Sequence, residues 1–209
     1  MLDFERKYWI ENPIILGVDE VGRGCCAGPL VVCAVILPRN YTHPKIRDSK
    51  RLTPEQRLEL FRIIQNDALF YHYEFISAQE VDLLNPKKAS QIGMQRCVQA
   101  IQEQTHIDLV LTDFEPISTS IKQINLIHGD NLSISIAAAS IMAKVIRDEY
   151  MIALHALYPD YGFKEHKGYV TKKHSQAIEK HGVLNGVHRL SYKNIQGCLN
   201  KELQNKKDD

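Results

Sequence analysis

Apolar residues recur along this chain with two different periods, which predict strands in some segments and helices in others. Short apolar runs bounded by glycine, proline or charge are typical of buried strands, and alternating runs are typical of half-buried ones. We predict strands at Ile14–Val18, Leu30–Leu37, Leu69–Ile76, Asp108–Asp113 and Gln123–Ile127. The first two are close enough in sequence to form a hairpin, so a mixed sheet is expected.

Helices are predicted between these strands from capping residues and from apolar positions that share one helical face. Thr53, followed by Pro54 and Gln56, is typical of a helix start, and Ser77 opens a second capping box. From Ile134 to Ile146 the apolar spacing predicts a long, largely buried helix. Further helices are predicted over residues 3–10, 88–104 and 171–181. Strands that alternate with helices indicate the α/β class.

The length of 209 residues favours a single domain, 1–209. Within it, residues 158–200 are expected to form a helical, basic C-terminal segment, and the polar residues 201–209 are expected to be disordered. The net charge of +1 says little about partners, but residues 161–193 hold seven lysines and arginines and two glutamates. Such a patch is either a solvated face or a footprint for a polyanion.

Other bulk features narrow the class of protein. The apolar runs are too short to span a membrane, and the N-terminal residues lack the pattern of a signal peptide, so a cytoplasmic protein is expected. Five cysteines without C-x-x-C spacing argue against a disulfide framework and against a zinc site. The histidines at 166, 174, 181 and 188 also lack close ligand spacing, and a helical face or phosphate contacts explain them better than zinc.

Acidic residues end two of the predicted strands. Asp19 and Glu20 follow the first strand, Asp113 ends the fourth, and Asp130 precedes the long helix. In an open α/β sheet such ends meet at one edge, and carboxylates are the ligands of Mg²⁺ or Mn²⁺. Asp148 is a rival for the fourth place, but it lies fifteen residues after Ser133, roughly 22 Å along the helix.

Two local features accompany these acids. Neighbouring strand residues point to opposite faces, so either the first strand breaks at Asp19, or the longer Glu20 side chain reaches round. Directly afterwards Arg23 lies between Gly22 and Gly24, in a loop whose backbone can approach an anion closely. Acids for metal and an arginine for phosphate are the pairing expected of a phosphoryl-transfer site.

Several motifs in this chain resemble the ribonuclease HII family, also called type 2 ribonuclease H. The D-E-V-G-R-G string from Asp19, followed by A-G-P, resembles its opening motif, and D-S-K-x-L from Asp48 resembles its second. The A-A-A-S-I-x-A-K-V-x-R-D string that ends at Asp148 resembles its third. H-K-G-Y from His166, with H-R-x-S from His188, resembles its C-terminal signature. The resemblance covers residues 14–192.

The resemblance implies a ribonuclease H-like mixed sheet flanked by helices, with a helical C-terminal segment. It implies metal binding and catalysis by Asp19, Glu20, Asp113 and Asp130, with two Mg²⁺ or Mn²⁺ ions. The substrate-binding residues that it implies are Gly22, Arg23, Gly24, Lys50, His166, Lys167, Tyr169 and Arg189. In the family, the glycine-arginine-glycine motif and the tyrosine read the RNA–DNA junction.

The implied activity is cleavage of the RNA strand of RNA–DNA hybrids and cleavage 5′ of single ribonucleotides in duplex DNA. It would leave 5′-phosphate and 3′-hydroxyl ends, remove misincorporated ribonucleotides and RNA primers, and be carried out by a monomer with no membrane partner. This chain departs from the usual motifs at four places. Cys25-Cys26 replaces Pro-Leu, Val170 replaces a frequent proline, Tyr192 replaces phenylalanine, and Phe114 follows Asp113 where glycine is usual.

Two alternatives of other classes fit parts of the sequence. A non-catalytic nucleic-acid binder would use the same basic patch, but acids that converge near phosphate repel it and serve binding poorly. A different metal nuclease or a phosphatase would share the acids. Metal dependence and a panel of substrates separate these alternatives.

Overall fold

The computed structural model describes the backbone of residues 2–46, 49 and 52–208, and the side chains of these ranges between Phe4 and Asn200. Lys50, one of the expected substrate-binding residues, lies outside the described residues, as does Asp48. Within the described part of the chain, every helix is too short or too polar to cross a membrane.

The chain divides into two compact units, each assembled from segments that are distant in sequence. The first unit consists of Met1–Val21, Val31–Phe75 and Ser90–Ile146, and the second of Gly22–Leu30, Ile76–Ala89 and Arg147–Asp209. The sequence predicted one domain with a C-terminal segment. It did not predict that the short segments 22–30 and 76–89 join that segment, because this depends on long-range hydrogen bonds.

The structure has five strands and nine α-helices in its described residues. The strands are β1 (Ile15–Val21), β2 (Leu30–Ile36), β3 (Phe70–Ile76), β4 (Leu109–Asp113) and β5 (Gln123–Leu126). The helices are α1 (Leu2–Arg6), α2 (Pro54–Asp67), α3 (Ala78–Leu84), α4 (Pro86–Gln102), α5 (Gly129–Leu132), α6 (Ile134–Leu157), α7 (Phe163–His166), α8 (Lys172–His181) and α9 (Lys193–Asp208). A 3₁₀ turn at Pro159–Tyr161 precedes α7.

The five strands form one mixed sheet in the order β3-β2-β1-β4-β5. The central strand β1 pairs antiparallel with β2 and parallel with β4, and β4 pairs parallel with β5. The predicted mixed sheet is therefore confirmed. Both predicted capping boxes are also present, with the Thr53 hydroxyl accepting from the amide of Gln56 and the Ser77 hydroxyl from that of Glu80.

The core of the first unit lies between the sheet and the first half of α6. Residues of β2 and α2 and the alanines Ala137, Ala138 and Ala139 of α6 form its main cluster. The helix approaches the sheet so closely that a Cβ on Gly17 would lie 2.3 Å from the carbonyl carbon of Ser135. Only glycine fits at this position of β1, and the small alanines allow the same close packing.

The second unit has its own core and an unusual pair of buried arginines. Cys26, Met151, Phe163, Ile178 and Ile195 belong to its apolar cluster. Arg147 and Arg189 are fully buried among these elements and bond to backbone carbonyls. The last helix, α9, continues to Asp208, and the expectation of disorder for residues 201–209 stays a prediction. Lysine, glutamate, glutamine and leucine favour helices even in a polar segment.

Candidate active site

The acidic edge of the sheet is built by the two central parallel strands. β1 and β4 pair in register from Ile15 with Leu109 to Val18 with Thr112, so the next residues, Asp19 and Asp113, lie side by side. Parallel strands present their carboxyl ends at one edge. The strand pairing therefore brings two of the predicted metal ligands together.

Asp130 is placed beside this pair through a backbone contact. The amide of Gly129 donates to Oδ1 of Asp113 at 2.8 Å, and Asp130 follows at once in α5. Asp130 is 3% exposed, and its Oδ1 accepts from the side-chain amide of Asn131 at 3.0 Å. The segment that carries Asp130 is thus anchored on the side chain of Asp113.

β1 continues without a break through Val21, so the first of the two alternatives for Asp19 and Glu20 is wrong. Asp19 is 6% exposed and Glu20 is half-buried. Oδ1 of Asp19 accepts from the amide of Glu20 at 2.8 Å. The two carboxyl groups are near enough for Glu20 to raise the pKa of Asp19.

The electrostatics of Asp19 indicate a site of concentrated negative charge. Burial is the largest cause that raises its pKa well above the ordinary value, followed by the charges of Glu20 and then Asp113. A hydrogen bond from Ser140 opposes the shift. Each factor that disfavours the aspartate anion is one that a divalent cation would offset.

Two of the sequence motifs meet behind Asp19. The hydroxyl of Ser140, in α6, bonds Asp19 and lies 3.0 Å from the hydroxyl of Ser49. Ser49 belongs to the D-S-K string, and Ser140 to the A-A-A-S-I string. Both serines are buried, so the pair supports the aspartate from inside the first unit.

The donor set fits a hard cation such as Mg²⁺ or Mn²⁺, since it consists of carboxylates with two of them nearly inaccessible to solvent. Among the residues that the structure describes, no three Asp, Glu, His or Cys side chains lie close enough together to coordinate one metal ion. The carboxylates instead bond neighbouring amides and hydroxyls. Asp19, Glu20, Asp113 and Asp130 are the residues that would hold the ions.

The glycine-arginine-glycine loop belongs to the second unit and is shaped by Arg147 and the carbonyls around it. Gly22 has a φ of +99°, and a Cβ there would lie 2.2 Å from Nε of Arg147. The Arg147 guanidinium donates to the carbonyls of Pro29 at 2.9 Å, Ala27 at 3.1 Å and Lys167 at 2.8 Å. One buried side chain thus joins the loop to the segment that precedes Tyr169.

The carbonyl of Arg23 is fixed by two further side chains of the second unit. It accepts from the hydroxyl of Tyr192 at 2.5 Å and from Nη1 of Arg189 at 3.2 Å. Arg189 also donates from Nε and Nη2 to the carbonyl of Gly28, at 3.2 and 3.0 Å. Arg23 is half-buried and Gly24 is exposed, so this loop presents a guanidinium from a fixed backbone.

Tyr169 and Lys167 are accessible, as substrate-binding residues must be. Tyr169 is 43% exposed, and its pKa is raised chiefly by burial and then by Cys25, which bonds its hydroxyl. Lys167 is half-buried and donates from Nζ to the carbonyl of Lys164. Lys167 adopts a left-handed φ of +50°, which turns the chain just before Tyr169.

His166 and Arg189 require a correction, because burial excludes direct contact with a substrate. Arg189 is 0% exposed and bonds only groups within the second unit in the contacts described above. His166 is 9% exposed, and both of its ring nitrogens bond backbone, to Tyr161 at 2.7 Å and Gly168 at 3.2 Å. Both residues support the substrate-binding segment from inside.

The rings of His166, His174 and His188 contact one another in the second unit, with centroids 4.2 Å apart for the first two and 5.3 Å for the last two, and we call them the histidine stack. Backbone partners determine the tautomers of His174 and His188. The amide of Leu184 donates to Nδ1 of His188 at 2.8 Å, so the proton of His188 is on Nε2. His174 donates from Nδ1 to the carbonyl of Tyr169 at 2.9 Å, which leaves its Nε2 bare. His188 therefore donates to His174 across 3.2 Å, and this series of hydrogen bonds ends at the backbone carbonyl of Tyr169.

A sequence model of Ribonuclease HII matches residues 16–195 of this chain, which include the acidic edge, the glycine loop and the histidine stack. The chain belongs to the ribonuclease HII family. It is therefore a metal-dependent endoribonuclease, a hydrolase that acts on the RNA of RNA–DNA hybrids.

A curated relative supports this family, and solved structures share the fold. Ribonuclease HII of Staphylococcus aureus (strain MRSA252) is 44% identical over 202 residues, which are 95% of this chain and 78% of that protein. The crystal structure of ribonuclease H2 from Pyrococcus horikoshii OT3 is similar at a TM-score of 0.75 with 22% identity, covering 90% of this chain and 98% of the other. Bst-RNase HIII in complex with Mn²⁺ has a TM-score of 0.65 and 18% identity over 91% and 70% of the two chains.

Sequence reasoning missed three residues that support the site of this enzyme. Arg147 was part of a quoted motif, but nothing in the sequence shows that its guanidinium holds the loop. Tyr192 stood out only as a departure from phenylalanine. Asp82 of α3 carried no signal at all, although its carboxylate accepts from the amides of Leu190 and Ser191 at 2.7 and 2.9 Å and so anchors the turn beside Arg189.

Proposed function

We propose that this enzyme cuts 5′ of single ribonucleotides embedded in duplex DNA, as well as within continuous RNA–DNA hybrids. Two Mg²⁺ or Mn²⁺ ions bound by Asp19, Glu20, Asp113 and Asp130 would supply an activated water and charge stabilisation at the leaving oxygen. The products would be 5′-phosphate and 3′-hydroxyl ends. In a cell this activity removes misincorporated ribonucleotides and RNA primers.

The observation that carries the proposal is the raised pKa of Asp19 at an edge shared with Asp113. Burial and neighbouring carboxylates disfavour the anion there, so the edge is costly without a cation. An acidic edge without cations would repel a phosphate backbone. Loaded with cations, the same edge attracts phosphate, so this arrangement suits a metal-dependent nuclease and not a simple nucleic-acid binder.

The loop around Arg23 and the exposed Tyr169 are proposed to recognise the ribonucleotide. The 2′-hydroxyl alone distinguishes RNA from DNA at a given position, so the enzyme must sense it at the cut. Arg23 offers a planar fork suited to phosphate, on a backbone held by Tyr192 and Arg189. Tyr169 offers a half-exposed ring, and its backbone carbonyl accepts a hydrogen bond from His174.

The basic residues of 161–193 are proposed to hold the duplex by its phosphates. Lys164, Lys172, Lys173 and Lys180 are exposed on or beside α7 and α8. Lys173 bonds Glu165 at 2.7 Å, so part of this charge is already paired within the segment. Contacts of this kind predict binding that weakens steeply as salt rises.

Three end-labelled duplexes test the proposal: one with a single ribonucleotide in DNA, one with a continuous RNA strand, and one of DNA alone. With Mg²⁺ or Mn²⁺ we expect cuts in the first two, and after treatment with a chelator none. The downstream product should carry a 5′-phosphate that a ligase accepts. Equal cutting of the all-DNA duplex, or failure to cut the single-ribonucleotide duplex in either ion, would contradict the proposal.

A further inference from the structure

We propose that Phe114 is a substrate-contacting residue, whose ring lies against a sugar of the nucleic-acid strand bound at the acidic edge. The inference rests on the proposed function, because it assumes that a polynucleotide is bound there. It deepens that function by assigning an apolar contact next to the metal-binding carboxylates.

Phe114 is placed at the site by its position in the chain and by strand pairing. It follows Asp113 directly, and its amide donates to the carbonyl of Leu126 at 2.9 Å, where β5 ends. The side chain is 57% exposed. A phosphate held at Asp113 has a sugar on either side, so the apolar ring has a ligand of matching chemistry within reach.

The backbone of Phe114 is in a conformation that residues with a Cβ rarely adopt. Its φ is +65°, in the left-handed region that favours glycine. A bulky aromatic residue is strained there, and because the ring is largely exposed, it gains little burial that would compensate for the strain. Strain of this kind persists where the surroundings impose it, and it concentrates at binding and catalytic sites.

Hydrogen bonds on both sides of Phe114 impose its positive φ. The amide of Glu115 donates to the carbonyl of Asp113 at 2.8 Å. The carbonyl of Glu115 accepts from the Thr112 hydroxyl at 2.8 Å and from the Asn125 amide at 3.1 Å. The turn is therefore fixed on both sides of Phe114, and the ring is held in solvent by a rigid backbone.

Exposed apolar side chains are common on protein surfaces, so exposure alone carries little weight. What distinguishes this region is that its segments also expose Ile127, at 67%, and Leu132, at 47%, on either side of Asp130. Both segments that carry the acids thus present apolar side chains. Apolar groups beside the acids contact sugars without adding charge that would repel phosphate or compete for the cations.

The test compares Phe114→Ala, Phe114→Gly and Phe114→Trp, with Tyr73→Ala as a matched control at an exposed aromatic residue of β3. The substrate is the duplex with one ribonucleotide. Steady-state cleavage in Mg²⁺ gives kcat and KM, and fluorescence anisotropy with the all-DNA duplex in Mg²⁺, which we expect to be bound but not cut, gives Kd with the cations present. Melting temperature is measured for every variant.

We expect Phe114→Ala and Phe114→Gly to raise KM and Kd about fivefold or more, with kcat within about twofold, as for loss of an aromatic contact with a nucleotide. Phe114→Trp should keep KM and Kd near those of the unaltered enzyme, because it retains an aromatic ring, and Tyr73→Ala should change neither constant. Phe114→Gly should keep or raise the melting temperature, since glycine relieves the positive φ, so its weaker binding cannot be ascribed to unfolding.

Unchanged KM and Kd in Phe114→Ala would overturn the inference, as would equal weakening by Tyr73→Ala or by Phe114→Trp. These outcomes differ from a failure of the proposed function. If the unaltered enzyme cuts the substrate and Phe114→Ala cuts it equally well, only this inference fails. If the unaltered enzyme leaves all three duplexes intact in Mg²⁺ and Mn²⁺, the proposed function fails, and this inference falls with it.

Discussion

Acid should destabilise this protein through the pair His174 and His188, and the amount follows from their surroundings. Both rings are inaccessible to solvent and neutral, and Nε2–H of His188 donates a hydrogen bond to Nε2 of His174. Protonation of Nε2 of His174 would set two N–H groups against each other at 3.2 Å. The pair therefore resists the charged form, which the unfolded chain adopts freely.

Burial is the main cause that lowers the pKa of each ring from 6.5 to about 4. The charge of His174 adds to the effect on His188, and that of His166 to the effect on His174. A group whose folded pKa is depressed in this way favours the folded state while both states are neutral. That stability is full above about pH 6.5 and is lost as the pH falls toward 4.

These pKa values determine how much unfolding free energy is lost on acidification. One pKa unit corresponds to ~1.36 kcal/mol, so a shift of about 2.5 units would cost about 3 kcal/mol in full. Between about pH 7.5 and about pH 5, linkage gives a loss of about 2 kcal/mol for one histidine. For a chain of this length that corresponds to a fall in melting temperature of roughly 4–8 °C.

The assay is urea unfolding at these two pH values, in buffer with a chelator. His188→Gln removes one of the two titrating rings and keeps an N–H donor toward His174, so its loss between the two pH values should be about half that of the unaltered protein. His181→Gln, at the exposed end of α8, is the matched control and should lose as much as the unaltered protein. The difference between His188→Gln and the unaltered protein is the decisive quantity, because the raised pKa of Asp19 stabilises the folded state as the pH falls and opposes the histidine effect equally in both. An equal loss in His188→Gln and in the unaltered protein would refute this reasoning.

Three further substitutions test the site. Asp19→Asn should raise the melting temperature in a chelator, because a buried negative charge is removed, and should abolish metal-dependent cleavage. Gly22→Ala should destabilise the protein by about 1–3 kcal/mol in urea unfolding, because the Cβ meets Arg147 and the φ of +99° is strained. Tyr192→Phe should cost about 0.5–1.5 kcal/mol by the same measurement, because the Arg23 carbonyl loses a donor; an unchanged stability in either variant would contradict the contact concerned.

The sheet and its acidic edge were predictable because they depend on local patterns. Apolar runs and capping residues identify strands and helices by short-range physics, and acids at strand ends meet once the strands pair in parallel. Asp19 and Asp113 are adjacent for this reason. Asp130 was already a candidate from its position before the long helix, and the resemblance to ribonuclease HII implied its role as a metal ligand. The backbone contact from Gly129 to Asp113 supports its place beside the other acids.

The second unit was much less predictable, because its contacts join residues far apart in sequence. His166 and Arg189 belong to a basic stretch, and the resemblance to the family implied that both bind the substrate. The structure instead buries Arg189 against the carbonyl of Gly28, which is 161 residues away in sequence. His166 bonds backbone within five residues, so for this residue it is the burial, set by the packing of the whole unit, that the sequence did not show. Arg147 was equally hidden, since an arginine on a helix is ordinarily a surface residue.

The most direct measurement is cleavage of a labelled DNA duplex that carries one ribonucleotide, with and without Mg²⁺. It compares the unaltered protein with Asp113→Asn, which alters a proposed metal ligand, and Asp148→Asn, which alters the rival acid in α6. We expect a cut 5′ of the ribonucleotide only with the ion, none by Asp113→Asn, and substantial cutting by folded Asp148→Asn. Cleavage by Asp113→Asn at the unaltered rate, or cleavage in a chelator, would contradict this expectation.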